Sequence, residues 1–296
     1  MKLFSAPPLS QFAKPKAEAA DQPKAGPKPR AALLPEPPGT PRVVAIQRLA
    51  QGGRWRVEAM RALSEPCLLW FTRGQGRITV GGVTRGYGAH NAVLIPPGVM
   101  HGFEVGPQTH GLALFFGRGS DVTLPEAPLH LRVRDNPSQA ELSGILEAVS
   151  RELESDRPGS DRAARHHLGL LGVWLERQTA AHPEEIKRRD AAQRLVAGYS
   201  ALLERDFRSG AGVAEFAAEL GVTPTHLTRA CRATCGRPAS DLLQDRRLYE
   251  ARRLLSETAL PVKQISAALG FTSANYFTRA FHGKTGKTPS QFRRAG

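Results

Sequence analysis

The sequence predicts a two-domain α+β protein, with a strand-rich N-terminal half, a helical connector and an all-α C-terminal domain. Three observations lead to this fold class. Hydrophobic residues change along the 296-residue chain from short runs between glycines to a helical period after residue 137. The C-terminal 110 residues hold +10 of the net charge of +14. The same residues contain one sequence pattern twice, and a chain of this length is typical of two domains.

The composition narrows the classes of function. The basic excess favours a polyanionic partner, either nucleic acid or an anionic membrane. No run of 18 or more apolar residues is present, and the first ten residues lack the apolar core of a secretory signal. Three cysteines are too few for a disulfide framework. We therefore expect reduced thiols in a cytoplasmic protein without membrane contact.

The N-terminal half divides into a tail and a strand-rich region. Residues 1–40 hold 9 of the 23 prolines, and such a segment cannot bury enough apolar surface to offset its ordering entropy. It is predicted to be a disordered Pro/Lys-rich tail. Residues 41–134 show short apolar runs between glycine-rich turns, which is typical of a small antiparallel barrel or sandwich.

Residues 135–186 are predicted to form a helical connector with two amphipathic helices. The spacing i, i+3, i+4, i+7 and i+11 places five apolar residues on one stripe of the first helix. These residues are Leu142, Ile145, Leu146, Val149 and Leu153. The second helix is marked by Leu168, Leu171 and Leu175. The stripe predicts a homodimer interface, and the alternative is that it packs on the chain's own barrel.

Residues 187–296 carry the repeated pattern. The first copy reads AAELGVT at 217–223, LTRA at 227–230 and Gly236; the second reads SAALGFT at 266–272, FTRA at 277–280 and Gly286. The offset is 49 before the turn and 50 after it, so the second copy has one extra residue there. Each short helix (213–220 and 262–269) ends at a glycine that can adopt positive φ, and a threonine follows as the candidate N-cap. This is the arrangement of a helix-turn-helix.

A single helix is predicted between the two copies, over residues 239–256. Eighteen residues span about 27 Å. That length would hold two reading helices about one DNA turn, roughly 34 Å, apart on one face of the duplex.

The repeated region resembles the DNA-binding domain of AraC/XylS-type bacterial transcription regulators. The most specific stretches are ISAALGF at 265–271, YFTRAF at 276–281, Gly286 and TPSQFR at 288–293. The first copy departs from the family pattern, because Cys231 replaces the usual core phenylalanine and Pro224 comes early in the recognition helix. The resemblance implies sequence-specific binding to double-stranded promoter DNA.

The resemblance also implies which residues contact DNA. The predicted base readers are Thr225, Thr228, Arg229, Ala274, Asn275, Thr278 and Arg279. Arginine can bond bidentately to guanine, asparagine to adenine, and the methyls of threonine or alanine can pack on thymine. The predicted phosphate contacts, which position without specifying sequence, are Arg232, Arg237, Lys284 and Lys287.

Residues 96–101 (PPGVMH) resemble the second half of a cupin signature, Pro-x-Gly-x-x-His. This resemblance implies a cupin-like ligand-sensing barrel over residues 41–134. Residues 64–70 (SEPCLLW), which would supply most ligands of a metal cupin, contain no histidine, so no metal or other cofactor is expected. A small organic effector is expected instead. The candidate ligand-binding residues are Trp70, Arg73, Arg77, Arg85 and His101, with Trp55 and Phe71 as further walls.

Together these patterns predict a non-enzymatic transcription regulator that binds promoter DNA as a homodimer, with a small-molecule effector and RNA polymerase as further partners. Two alternatives remain. One is a metal-dependent cupin enzyme with an attached helical domain, against which the missing ligands argue. The other is a nonspecific DNA-binding protein, which would bind all sequences equally and with steep salt dependence.

Overall fold

The computed structural model describes residues 39–183 and 190–295. The predicted tail, residues 1–40, lies outside the described residues except for its last two. The predicted boundary between connector and DNA-binding domain, at 186/187, also lies outside them.

The N-terminal half contains eight strands and two short helices in the described ranges. In chain order they are β1 (Arg42–Ala45), α1 (Ile46–Leu49), α2 (Trp55–Glu58), β2 (Cys67–Arg73), β3 (Gly76–Val80), β4 (Val83–Tyr87), β5 (Asn91–Ile95), β6 (His101–Phe103), β7 (His110–Phe115) and β8 (Leu129–Arg132). The strands form a five-stranded antiparallel sheet in the order β1-β7-β2-β5-β8 and a three-stranded antiparallel sheet in the order β4-β3-β6. The strand-rich region was therefore predicted correctly, and its strands are arranged in two sheets.

The remaining elements in the described ranges are helices. They are α3 (Asn136–Leu153), α4 (Ser160–Ala181), α5 (Ala191–Asp206), α6 (Val213–Glu219), α7 (Pro224–Cys235), α8 (Ala239–Glu257), α9 (Val262–Ala268), α10 (Ala274–Thr285) and α11 (Pro289–Ala295). The helix predicted over 239–256 corresponds to α8, which is one residue longer. None of the helices in these ranges combines the length and the hydropathy of a membrane-crossing segment.

Both faces of the five-stranded sheet are covered by other elements, and alternate residues of each strand point to opposite faces. On β2, Leu68 and Trp70 pack in a core shared with α3 and α4. Leu69 and Phe71 pack in a second core that includes Ile78 of the three-stranded sheet. The helices thus cover one face of the large sheet and the small sheet covers the other.

The apolar stripe of α3 lies in the first of these cores. Leu142, Leu146 and Val149 are fully buried and pack with Leu171 and Trp174 of α4. The structure therefore corrects the expectation that this stripe is a dimer interface. Because the stripe is the partner of the chain's own sheet and of α4, it is not available to a second copy.

The strand-rich half contacts the C-terminal helices through α2 and through the turn between β3 and β4. Trp55 of α2 lies edge-on to Tyr249 of α8 and to Phe292 of α11, with ring centroids 5.7 and 6.1 Å apart. A Cβ built on Gly82, in the β3–β4 turn, would lie only 2.3 Å from the side chain of Val196 on α5. Both contacts bring the sheets against the helices that carry the repeat.

Candidate nucleic-acid interface

The first helix-turn-helix consists of α6 and α7. The turn contains Gly221 at φ +67°, and Val222 N–H donates a 2.9 Å hydrogen bond back to the carbonyl of Ala217. Thr223 caps α7, because its side-chain oxygen accepts a 3.2 Å hydrogen bond from the N–H of His226. The predicted glycine turn and threonine cap are both confirmed in this copy.

The second helix-turn-helix consists of α9 and α10 and has the same turn. Gly270 lies at φ +72°, and Phe271 N–H donates to the carbonyl of Ser266 at 3.1 Å. The cap is Ser273, which accepts from Tyr276 N–H at 3.1 Å, and not Thr272, so that part of the prediction was wrong. The extra turn residue explains the difference, since at the offset of 50 Ser273 is the counterpart of the first copy's cap.

Both recognition helices, α7 and α10, end in the same way. Gly236 and Gly286 lie in the left-handed region, at φ +70° and +68°, and their N–H groups bond to the carbonyls of Arg232 and His282. A glycine at this position avoids the Cβ strain of a left-handed backbone. The repeat therefore holds in three dimensions from the turn to the end of each recognition helix.

The buried side chains on the inner faces of the recognition helices are larger in the second copy than in the first. In α10 Phe277 and Phe281 are fully buried, with ring centroids 5.7 Å apart, and Phe281 also contacts Phe292 of α11. In α7 the equivalent positions are Leu227 and Cys231, which are also fully buried. Cys231 therefore serves as a small core residue, and burial raises the pKa of its thiol to about 12.

The outer faces carry most of the predicted DNA contacts. The exposed ones are Thr225, Arg229, Arg232, Asn275, Arg279, Lys284 and Lys287, and the half-buried ones are Thr228, Ala274 and Thr278. Two of these side chains already have partners within their own helix. Arg229 lies 3.3 Å from Nδ1 of His226, and the hydroxyl of Thr278 donates to the carbonyl of Ala274 at 2.9 Å. The hydroxyl of Thr278 is therefore hydrogen-bonded within α10, whereas its methyl group is not.

One predicted phosphate contact has a structural role in the fold. Arg237 NH1 donates to Oδ2 of Asp245 at 3.1 Å, and its NH2 lies 3.4 Å from the carbonyl of Asp241. The guanidinium is thus held against α8, which corrects its assignment to phosphate. The sequence interpretation also missed His226 and Tyr276, which are exposed and occupy equivalent places on α7 and α10. Their offset of 50, the same as for the predicted readers, was the signal that would have found them.

The candidate ligand-binding residues of the strand-rich half are not brought to one place. Trp70 lies in the core beneath the helices, and its Nε1 donates to Ser143 Oγ of α3 at 3.2 Å. His101 is 1% exposed, with Nδ1 2.9 Å from the carbonyl of Val99, and its backbone pairs with Arg61. Burial, reinforced by the positive charge of Arg61, lowers the pKa of His101 to about 3. The imidazole is therefore neutral at physiological pH.

The three candidate arginines are distributed over the small sheet and the end of β2. Arg73 is exposed, and Arg77 is exposed and forms an ion pair with Glu104 at 2.7 Å. Arg85 is half-buried on β4, opposite Ile78 of β3 and on its face of the sheet. A groove of about 340 Å³ exists elsewhere, between Pro66, Leu94, Leu124 and Glu126, and none of these candidates lines it. Within the described ranges, no group of three or more metal-ligating side chains comes together.

Comparison with known proteins agrees with the geometry of the repeat. Residues 216–295 match the model of a helix-turn-helix domain. The transcriptional regulator GlxA of Rhizobium meliloti is 32% identical over 146 residues, which are 47% of this chain and 44% of that protein. CdhR of Pseudomonas aeruginosa is 24% identical over 80% of this chain and 69% of its own length. The arabinose operon regulatory protein of Escherichia coli is 32% identical over 27% of this chain and 28% of that protein.

The chain spans less than half the length of the first curated relatives that it matches. Among solved structures, fatty-acid-bound ToxT of Vibrio cholerae is similar over 86% of this chain and 94% of its own, at 13% identity. The TM-score of this match is 0.42. The C-terminal part of the chain is a helix-turn-helix domain. Its resemblance to AraC/XylS-type regulators is confirmed.

Proposed function

We propose that this protein is a sequence-specific DNA-binding transcription regulator of the AraC type. The observation that carries the proposal is the duplicated helix-turn-helix, in which both copies repeat the turn hydrogen bond and the left-handed terminal glycine. Two recognition helices with exposed polar residues, joined through one long helix, fit a duplex read at two successive major grooves.

The proposed division of roles among the DNA-facing residues follows their chemistry. Arg229, Asn275 and Arg279 are exposed and read base edges, while the methyl groups of Thr225, Thr228, Ala274 and Thr278 pack on bases. Arg232, Lys284 and Lys287 contact phosphates. His226 and Tyr276 join the reading surface, since they lie between predicted readers on the exposed sides of α7 and α10.

The strand-rich half is the proposed effector-sensing domain, with a cupin-like fold over residues 41–134. Support comes from the Pro-x-Gly-x-x-His pattern and from the two antiparallel sheets that face each other across a core. Phe71 and Tyr87 stack at 3.9 Å within that core, so an effector between the sheets would have to displace large side chains. An effector acts only if it binds one arrangement of the two halves better than another.

The remaining parts of the proposal concern assembly and location. In the proposed organisation, residues 135–186 form a connector and residues 187–296 form the DNA-binding domain. The active species is a homodimer that binds its promoter in the cytoplasm and contacts RNA polymerase there. Symmetric dimers match the half-site arrangement of many operators.

Selection of bound DNA from a random pool, with the full chain, tests this function. We expect one motif with two elements about one helical turn, roughly 34 Å, apart. Repeating the selection with Arg229→Ala should erase base preference in one element, and Arg279→Ala should erase it in the other. Recovery of unselected sequence with steep salt dependence would support a nonspecific DNA binder instead. Stoichiometric iron, manganese or zinc in the purified protein would support the metal-dependent enzyme.

A further inference from the structure

The side chain of Arg229, a base reader of the first copy, is bound by a neighbour on its own helix. Its Nη2 lies 3.3 Å from Nδ1 of His226, which comes three residues earlier on α7. Residues three apart on a helix are neighbours on its surface. Arginine has only N–H donors and no acceptor, so this hydrogen bond requires a ring nitrogen that carries no proton. The imidazole of His226 is then neutral, with its proton on Nε2.

The backbone that carries His226 is fixed by the cap of α7. The N–H of His226 donates to Thr223 Oγ1 at 3.2 Å, and the carbonyl of Thr223 accepts from Leu227 N–H at 3.0 Å. Leu227, the next residue along the chain, is fully buried and anchors this turn of the helix in the core. The exposed imidazole therefore projects from a first turn that is held at both its cap and its inner face.

The second copy lacks this arrangement. Tyr276 occupies the place of His226 on α10, and its ring lies near the ring of Phe271, with centroids 6.1 Å apart. A tyrosine has no ring nitrogen that could accept from an arginine. Within the described ranges, Arg279 hydrogen-bonds to no other side chain. The two copies thus present equivalent arginines, of which the first is restrained and the second is not.

We propose that His226 is a positioning residue, which orients the guanidinium of Arg229 for base reading. The proposal rests on the proposed function, in which Arg229 reads a base edge. An arginine that reads guanine bidentately uses two N–H groups, so the fork can bond to guanine and to His226 together. Because the fork is already restrained, Arg229 loses less side-chain entropy when it binds DNA.

A double-mutant cycle on the site that the wild type selects tests this role. His226→Leu keeps a side chain of helix-forming type and removes the acceptor. It should weaken binding by about 3- to 10-fold, the worth of one hydrogen bond. In the Arg229→Ala chain the same substitution should have no effect, because the group that His226 positions is gone. His226→Asn places Oδ1 near the position of Nδ1 and should restore most of the affinity.

The base preference gives a second readout. Changing the base pair at which Arg229→Ala loses its preference should abolish the difference in affinity between the wild type and His226→Leu. His166→Leu, at an exposed position of α4, is the matched control and should bind as the wild type does. Circular dichroism and melting temperature of each variant check that α7 remains folded.

The outcomes separate this role from DNA binding itself. An equal loss from His226→Leu in the wild-type and Arg229→Ala chains would overturn the proposal, since His226 would then contact DNA independently. Full affinity of His226→Leu would also overturn it, as would a His226→Asn protein that binds no better than His226→Leu. A wild type that selects no sequence would overturn the proposed function, and this role with it.

Discussion

The backbone N–H of Met60 donates a 3.0 Å hydrogen bond to Oδ2 of Asp245 on α8. The same oxygen accepts from Arg237 NH1 at 3.1 Å, so one carboxylate joins the strand-rich half to the end of the first helix-turn-helix. Trp55, five residues before Met60, packs on Tyr249 of the same helix. Helix α8 therefore separates the two recognition helices and also supports the N-terminal half.

Removing the Asp245 carboxylate is expected to loosen this contact. Asp245→Ala leaves the N–H of Met60, a residue that is 4% exposed, without its acceptor, and such a loss costs about 1–3 kcal/mol. Asp245→Asn retains an acceptor oxygen and should cost less. Urea unfolding measures the difference, with Asp241→Ala in the first turn of α8 as the control. An Asp245→Ala protein as stable as the control would show that the contact contributes nothing.

A buried ion-pair network joins α5 and the segment after it to α8. Glu250 is 1% exposed and accepts hydrogen bonds from Arg208, Arg246 and Arg253. Arg246 also bonds to Glu204 of α5 at 2.8 Å and lies 3.9 Å above the ring of Phe207. Burial raises the pKa of Glu250, but the positive charges of these arginines outweigh burial, so the pKa lies below its usual value.

Glu250→Gln is expected to destabilise the protein by about 3–5 kcal/mol, because it leaves buried arginines without their carboxylate. Since the native carboxylate binds its proton less readily than the unfolded one, its stabilisation is present above about pH 4.3 and is lost as the pH falls below it. Unfolding free energies of both proteins at neutral and acidic pH measure this. Glu257→Gln, on the same helix but 40% exposed, should cost less than about 1 kcal/mol. Equal losses for the two variants would contradict the role of the network.

The repeat and its turns could be predicted from the sequence because their signals are local. Glycines after short helices, oxygen side chains at N-caps and the 3.6-residue period each act within a few residues. Ser273 could also have been predicted as the N-cap of α10, because the change of offset from 49 to 50 between the copies already located the extra residue. The predicted α8 agrees with the structure to within one residue for the same reason.

Contacts between distant segments could not be predicted in this way. Periodicity showed that the stripe of α3 is buried, but it could not show that the cover is α4 and the sheet. The sequence suggested that Trp70 is a wall of a ligand site in the barrel, but the register of β2 points its side chain toward α3 and α4. The sequence suggested that Arg237 contacts phosphate. Nothing near it in the sequence reveals that its NH1 lies 3.1 Å from Oδ2 of Asp245. Each outcome depends on which surfaces meet in the folded chain.

His101 should make stability depend on pH. Its pKa is about 3 in the folded protein and about 6.5 when unfolded, so the unfolded state binds the proton more readily. Its contribution is present above pH 6.5 and falls by about 1.4 kcal/mol per unit below it, or about 2 kcal/mol at pH 5. His101→Gln should reduce the difference in unfolding free energy between pH 7.5 and pH 5 by that amount. His282→Gln, at an exposed position of α10, is the control; an unchanged difference in His101→Gln would show that this histidine titrates normally.

Two residues of the second copy should separate base reading from phosphate binding. Arg279 is exposed in the middle of α10, within the proposed reading surface. Arg279→Ala should therefore cost about 1–3 kcal/mol on the selected site and relax one base position. Lys287 lies just past the end of α10, where its N–H donates to Thr285 Oγ1 at 3.2 Å and fixes the start of its side chain. Lys287→Ala should weaken binding to all sequences alike and reduce the salt slope by about 1.

Binding titrations of both variants on the selected site and on scrambled DNA, at several salt concentrations, distinguish these roles. The decisive quantity is the ratio of specific to nonspecific affinity, which should fall for Arg279→Ala and stay constant for Lys287→Ala. A constant ratio for Arg279→Ala would mean that α10 does not read bases in the predicted register. A changed ratio for Lys287→Ala would place that lysine in the groove, and the second recognition helix would then have to be rotated or shifted along the duplex.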